Sequence, residues 1–297
     1  MASVVILGCG YIGIELGRQL AADGHDVTGV RRSKSGCQAI EDAGFTPHQA
    51  DLTDGDDLDG LPDADWVIFA ASSGGRGAEA AREIYVDALG DAIEAYGNRA
   101  SPPDRFVYTS STGVYGDHDG EWVDESTPLE PTTAKTEVLV EAEQVARERA
   151  AEYGIDGSVA RFSGLYGPDR YRLDRYLDGP VTAGYLNMVH RVDAAGAVAF
   201  LLTENHARDE VVLVTDDEPA DKWEFADWLA AECGVDKPSK QTKAERLAES
   251  DLSETARRRV LTSKRCSNEY LRELGYEFTY PTFREGYQDA INDYVAE

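Results

Sequence analysis

Short apolar runs alternate along this chain with longer stretches of helical period. Val4 to Leu7 is apolar at every position and precedes a helical pattern over about Tyr11 to Ala22. Asp26 to Val30 predicts a second strand, and Phe45 opens a short third that ends near Ala50. Trp66 to Ala70 predicts a fourth strand and Arg105 to Thr109 a fifth. Long helices are predicted over about Ala78 to Tyr96 and Thr133 to Tyr153, and two further strands over Ile155 to Phe162 and Glu210 to Val214. Strands without polar alternation, separated by helices, belong to a parallel sheet covered on both faces. The fold class is therefore α/β, a doubly wound parallel sheet.

The pattern changes after about Gly167. Pro168 to Gly184 is rich in Tyr, Arg, Asp and Gly and reads as irregular, while the chain from Ala220 onward reads as helical with breaks at Gly234 to Pro238 and Gly275 to Pro281. The predicted organisation is a sheet domain over residues 1–166, to which the strand and helix of about 190–216 also belong. A smaller, mainly helical lobe takes residues 167–297.

Composition adds a large charge. Fifty-six acids against 29 bases leave −27, on an ordinary 42% apolar fraction, and the bases are mostly arginine. Such a surface around a normal core is expected of a salt-adapted cytoplasmic protein, because molar salt shortens the Debye length to about 3 Å and screens self-repulsion. It argues against nucleic acid and anionic membranes as partners. No apolar run approaches the ~20 residues that span a bilayer. Cys9, Cys37, Cys233 and Cys266 match no metal spacing and read as reduced thiols, and the acid clusters after Asp51 and at Asp216-Asp217-Glu218 read as solvated surface rather than metal sites.

The candidate chemistry begins at the first turn. Gly8-Cys9-Gly10-Tyr11-Ile12-Gly13 follows the first strand and opens the first helix. In a Rossmann-type dinucleotide site the first glycine permits the tight turn. The second lets backbone approach a pyrophosphate, and the third lets helix and strand pack closely. The helix N-terminus supplies amide donors to the phosphates. The second strand ends in Arg31-Arg32, where a site for NAD usually carries an acid; guanidinium groups suit the 2′-phosphate of NADP. Two solvated arginines are the plainer reading. Asp51-Leu52 would lie near the adenine and Ala70-Ala71-Ser72 beneath the phosphates.

Phe106 to Gly116, with Ser110-Ser111-Thr112-Gly113 at its centre, resembles the motif of the extended short-chain dehydrogenases/reductases, the NAD-dependent epimerase/dehydratase family. Arg161…Tyr166-Gly167-Pro168 and Asn187-Met188-Val189-His190-Arg191-Val192-Asp193 agree in order and spacing, and Ser263 to Gly286 resembles the tail of atypical members. The resemblance implies NADP or NAD as cofactor and a small-molecule substrate, a sugar nucleotide or another carbonyl or hydroxyl compound. It also implies a homodimer through the two long helices. Ser111, with Thr112 beside it, would hydrogen-bond the reacting oxygen. Tyr85, Arg161, Tyr166 and Arg170 would lie toward the substrate, with Arg161 alternatively held in a structural ion pair. His190 would be structural and Asp193 would cap the helix that follows it.

One part of the family pattern is absent. Its Tyr-x-x-x-Lys pair falls on Lys135 and Leu139, and no tyrosine occurs between Tyr115 and Tyr153. Three readings follow: an atypical oxidoreductase or epimerase in which Lys135 or a tyrosine from elsewhere moves the proton, a non-catalytic NADP-binding sensor, or cofactor binding coupled to unrelated chemistry.

Overall fold

The computed structural model describes residues 1–74, 77–249 and 252–296. The chain folds as two compact units: Met1–Val114, Pro131–Phe162 and Ala194–Val212 form the first, and Tyr115–Glu130, Ser163–Asp193 and Leu213–Glu297 the second.

The first unit is built on a seven-stranded parallel sheet. Its strands are β1 (Ser3–Leu7), β2 (Asp26–Arg31), β3 (Thr46–Gln49), β4 (Trp66–Phe69), β5 (Arg105–Ser111), β6 (Asp156–Phe162) and β7 (Val211–Val214), in the spatial order 3-2-1-4-5-6-7. Strand order reverses between β1 and β4, and the crevice beyond the carboxyl ends of the strands at such a reversal is where doubly wound sheets bind ligands. Consecutive residues Val4, Val5, Ile6 and Leu7 are all buried, as are Val67, Ile68 and Phe69, so both faces are covered. The helices that cover them are α1 (Tyr11–Ala22), α2 (Lys34–Asp42), α3 (Gly55–Asp59), α4 (Ala78–Arg82), α5 (Leu89–Gly97), α6 (Ala134–Gln144) and α7 (Ala150–Glu152), with Arg191–Thr203 returning from the second unit's sequence.

The two predicted long helices are present, and each contains a π turn: Glu83–Ala88 between α4 and α5, and Val145–Arg149 between α6 and α7. They lie side by side. A Cβ on Gly97 would stand 2.2 Å from the Tyr153 ring and one on Gly90 2.5 Å from the Arg149 guanidinium, so the missing side chains of α5 receive those of its neighbour. Arg82 and Glu141 bridge the pair at 2.5 Å.

The second unit takes the segment Tyr115–Glu130, which the sequence pattern places in the sheet domain. The reason is pairing at long range: Trp122–Val123 runs parallel to Arg265–Cys266, and Lys264 Nζ donates to the Gly116 carbonyl at 3.0 Å. Two-residue strands such as these carry no periodicity of their own. Tyr166, Phe225, Leu229, Phe283, Tyr287 and Ile291 form the unit's apolar core. Asp193 does not cap a helix. It lies in the first turn of Arg191–Thr203, and its buried carboxylate accepts from the Thr279 and Tyr280 amides at 2.7 and 2.8 Å and from the Tyr276 hydroxyl at 3.2 Å. His190 is structural here, its ring 4.0 Å from that of Tyr280. Among the described residues no helix is long and apolar enough to cross a membrane.

The π turn sets a steric limit on β6. A Cβ on Gly157 would lie 2.2 Å from the Ala146 carbonyl oxygen and 2.9 Å from Arg147 Cα, both backbone atoms that cannot swing away. Gly157→Ala should therefore destabilise the protein by about 3 kcal/mol. Gly55→Ala, with nothing within 4 Å of its Cβ, should leave stability unchanged within ~0.5 kcal/mol. Chemical denaturation of both variants at one salt concentration measures the difference.

Candidate functional site

The carboxyl ends of β1, β2 and β4 lie level: Leu7 registers with Val30 on one side and Phe69 on the other. Phe69 registers with Tyr108, and β5 runs three residues further to Ser111. The candidate residues of the first unit therefore line one edge of the sheet.

Gly8 leaves β1 with φ +75°, and a Cβ there would fall 2.2 Å from Ala71 Cα. Only glycine lets the loops after β1 and β4 touch at this point. The Gly10 amide closes the turn on the Gly8 carbonyl at 2.7 Å. A Cβ on Gly13 would press on Ile6 and on the Cys9 sulfur at 3.0 and 3.2 Å, which is the close helix–strand packing expected of the third glycine. The Cys9 thiol is fully buried and pushed up to about 12 by that burial, with Arg31 opposing, so it stays protonated.

Tyr11, Ile12 and Gly13 open α1, whose N-cap Gly10 offers no side-chain cap and whose first turn holds no acid. The contrast is internal: α2 is capped by Ser33 and α6 by Thr133. The uncapped first turn of a 12-residue helix, beside a glycine with no side chain to fill the approach, fits the phosphates of a dinucleotide.

Arg31 and Arg32 diverge. Arg31 folds back over the glycine loop, its Nη1 donating to the Cys9 carbonyl at 3.3 Å and standing 3.0 Å from where a Gly10 Cβ would be. Arg32 is exposed and reaches Asp51 at 3.6 Å. The Asp51 carboxylate also accepts from the Thr53 amide and hydroxyl at 3.2 and 2.9 Å. Leu52 is buried in the core, Ala70 continues the sheet by donating to the Leu7 carbonyl at 2.8 Å, and Ser72 is exposed at the loop after β4.

Ser111 ends β5. Its Oγ accepts from the Gly113 amide at 3.2 Å, so its own proton remains available to another acceptor. Thr112 is buried in the turn that follows. The α6 N-terminus adjoins this turn: the Thr136 methyl lies 3.7 Å from where a Gly113 Cβ would be. Lys135, the second residue of α6, is half-buried and has no ion-pair partner among the described residues; Leu139 follows one helical turn later. Tyr85, half-buried beyond α4, accepts at its hydroxyl from the Ser73 amide at 3.1 Å and so sits against the loop after β4.

Three further residues were expected toward the substrate: Arg161 in the first unit, and Tyr166 and Arg170 in the second. Arg161 is buried in an ion pair with Glu143, Nη2 to Oε2 at 2.6 Å and Nε to Oε1 at 3.0 Å, the structural alternative among its two expected roles. Tyr166 belongs to the second unit's core, stacked on Tyr287 at 4.9 Å, and its hydroxyl occupies the space a side chain at Gly286 would need. Burial, then Asp216, raise that hydroxyl far above the ordinary tyrosine range. Arg170 is exposed on the loop after Gly167.

Sequence reasoning missed one member of the edge. Ser110 and Arg161 are register partners on β5 and β6, and Glu143 of α6 takes both, accepting from Ser110 Oγ at 2.6 Å. All three are buried, one residue back along β5 from Ser111. The spacing from Lys135 to Leu139 to Glu143, four and four, places them along one helix face and was the available signal. Glu143→Ala should cost 3–5 kcal/mol, roughly, because it strands the Arg161 charge in the interior. The double replacement Glu143→Leu with Arg161→Met should recover most of that loss. Denaturation midpoints of the two variants decide it; equal losses would mean that the pair is not the source.

A model of the NAD-dependent epimerase/dehydratase family matches residues 4–214. The protein YeeZ of Escherichia coli K12 is 29% identical over 289 residues, 95% of this chain and 97% of its own. A functionally unknown conserved protein from Silicibacter pomeroyi has a structure that superposes with a TM-score of 0.79 at 29% identity, covering 99% of both chains. A dTDP-glucose 4,6-dehydratase double mutant from Streptomyces venezuelae, solved with NAD bound, superposes with a TM-score of 0.78 at 20% identity, over 100% of this chain and 97% of its own. With the glycine loop, the sheet order and the Ser111 turn in place, the chain belongs to the NAD-dependent epimerase/dehydratase family.

Proposed function

We propose that this protein is an oxidoreductase that binds NADP(H) in preference to NAD(H) and acts on a small carbonyl or hydroxyl compound, a sugar nucleotide being one such class. The observation that carries the cofactor preference is Arg31. Its guanidinium lies over the glycine loop, and the end of β2 and the residues after it read Arg31-Arg32-Ser33-Lys34, a run without a carboxylate to accept from a ribose hydroxyl. The NAD-bound dehydratase of the same fold supports the dinucleotide class. A nicotinamide held at this edge supplies or accepts hydride.

The chain's own residues do the rest. Ser111, anchored through its acceptor lone pair by the Gly113 amide, donates to the reacting oxygen. The family tyrosine and lysine are replaced by Lys135 and Leu139, so the proton moves through another group. Lys135 adjoins the Ser111 turn through α6, and Tyr85 has its proton free because its oxygen already accepts from Ser73. The absence of the usual pair also supports a second reading, a cofactor-binding sensor without turnover.

In fluorescence titrations at molar potassium chloride, NADPH should bind at least tenfold more tightly than NADH, and Arg31→Ala should abolish the difference. Tighter NADH binding by the unaltered protein would overturn the preference. Given turnover on a carbonyl panel, Ser111→Ala should lower kcat by about 10²-fold or more. Whichever of Lys135→Ala and Tyr85→Phe gives a comparable loss identifies the proton carrier, and cofactor binding without turnover on any substrate selects the sensor.

A further inference from the structure

Asp216 departs from the acidic surface to which its sequence assigns it. It stands with Asp217 and Glu218 in a run expected to be solvated, and its two neighbours are placed that way: exposed Asp217 pairs with Arg272, and Glu218 reaches Arg284 at 3.0 Å. Asp216 turns inward. It is 1% exposed, two residues after β7, and its amide donates to the Met188 carbonyl at 2.8 Å.

The core of the second unit offers this carboxyl no partner. Neither Oδ1 nor Oδ2 has a hydrogen bond, and among the described residues no cation pairs with it. The two phenols that sense its charge give their protons elsewhere, Tyr287 to the Tyr171 carbonyl at 3.0 Å and Tyr166 to the Thr282 carbonyl at 3.5 Å. His190 lies edge-on to Tyr166 at 5.2 Å, and its Nδ1 accepts from the Val192 amide. Asp193 shows what an ionised carboxylate requires in the same core: the Thr279 and Tyr280 amides and the Tyr276 hydroxyl all donate to it. A carboxylate deprived of both water and donors is costly, and the group escapes that cost by keeping its proton. Burial holds Asp216 well above the ordinary carboxylate range; the Glu218 amide opposes this, and the charges of Asp217, Glu218 and Asp193 add to it.

The proton is therefore coupled to folding. An unfolded chain releases it in the ordinary carboxylate range, while the folded unit retains it to higher pH. Stability from this group is complete at low pH and is lost as pH rises toward the folded value. We propose that Asp216 is a pH-responsive element of the second unit, whose core stays closed while this buried carboxyl carries a proton and loosens when the proton leaves. The proposal concerns the second unit alone and is independent of cofactor binding and of turnover.

Denaturant titration of the full-length protein and of Asp216→Asn, in molar potassium chloride to screen the surface acids, tests it between about pH 5 and about pH 8. Tryptophan fluorescence reports chiefly the second unit, which holds Trp122, Trp223 and Trp228, while the first holds Trp66. The unfolding constant of the unaltered protein, divided by that of the neutral isosteric variant, should rise about tenfold per pH unit while the folded carboxyl keeps its proton. A ratio that is constant or falls with pH would overturn the proposal. A second measurement needs no variant: at about pH 6 the unaltered protein should show the infrared carbonyl stretch of a protonated carboxylic acid, and its absence would overturn the proposal whether or not Asp216→Asn folds.

Discussion

The contact between Gly8 and Ala71 is the constraint on which the candidate site depends. Two loops leave adjacent parallel strands at the point where the strand order reverses, and they meet with no room for a single Cβ. That closeness brings the start of α1 to the sheet edge and leaves its first turn uncapped there. It also places Arg31, on the next strand over, within hydrogen-bond reach of the loop carbonyl at Cys9. A side chain at Gly8 would part the loops, and every later feature of the cofactor edge would move with them.

Much of this edge was legible in the sequence because its signals are local. The glycine spacing, the apolar strand before it and the helix after it fall within about twenty residues, and α1 runs over Tyr11–Ala22 as the pattern predicts. What was not legible depends on contacts between distant positions. Arg161 left two readings open, and its partner Glu143 is identified only when β6 is laid beside β5 and α6 is laid over both. Asp193 read as a helix cap because an acid near a helix start usually is one. The loop from Tyr276 to Tyr280, some eighty residues later in the chain, claims its carboxylate instead. The same reason explains Tyr115–Glu130, whose two-residue strand is defined by a partner at Arg265–Cys266.

The net charge of −27 describes the surface as a whole and conceals two exceptions. One is the run Arg31 to Lys34, which contains no acid and lies beside the glycine loop. The other is a cavity within the second unit whose lining includes Arg175, Lys222, Arg246 and Arg259. Acidic residues favour a protein's solubility with little loss of stability when they are solvated and screened. Even here acids intervene in part: Arg32 reaches Asp51 and Arg246 pairs with Glu249, while Arg31 turns to the Cys9 carbonyl.

The altered α6 fits the same view. Replacing the family lysine by Leu139 removes the cation that would stabilise a deprotonated hydroxyl one turn earlier, and the residue at that earlier position is itself a cation, Lys135. A tyrosinate–lysine pair and a lone lysine beside an apolar residue make opposite electrostatic demands. The structural support behind it is intact: Ser110, Glu143 and Arg161 still brace β5 against β6 and α6, and Ser111 still ends the strand with a donor to offer. The bracing does not depend on a tyrosine and a lysine at these positions: Ser110 and Arg161 make their contacts with Glu143 on a helix that carries Lys135 and Leu139.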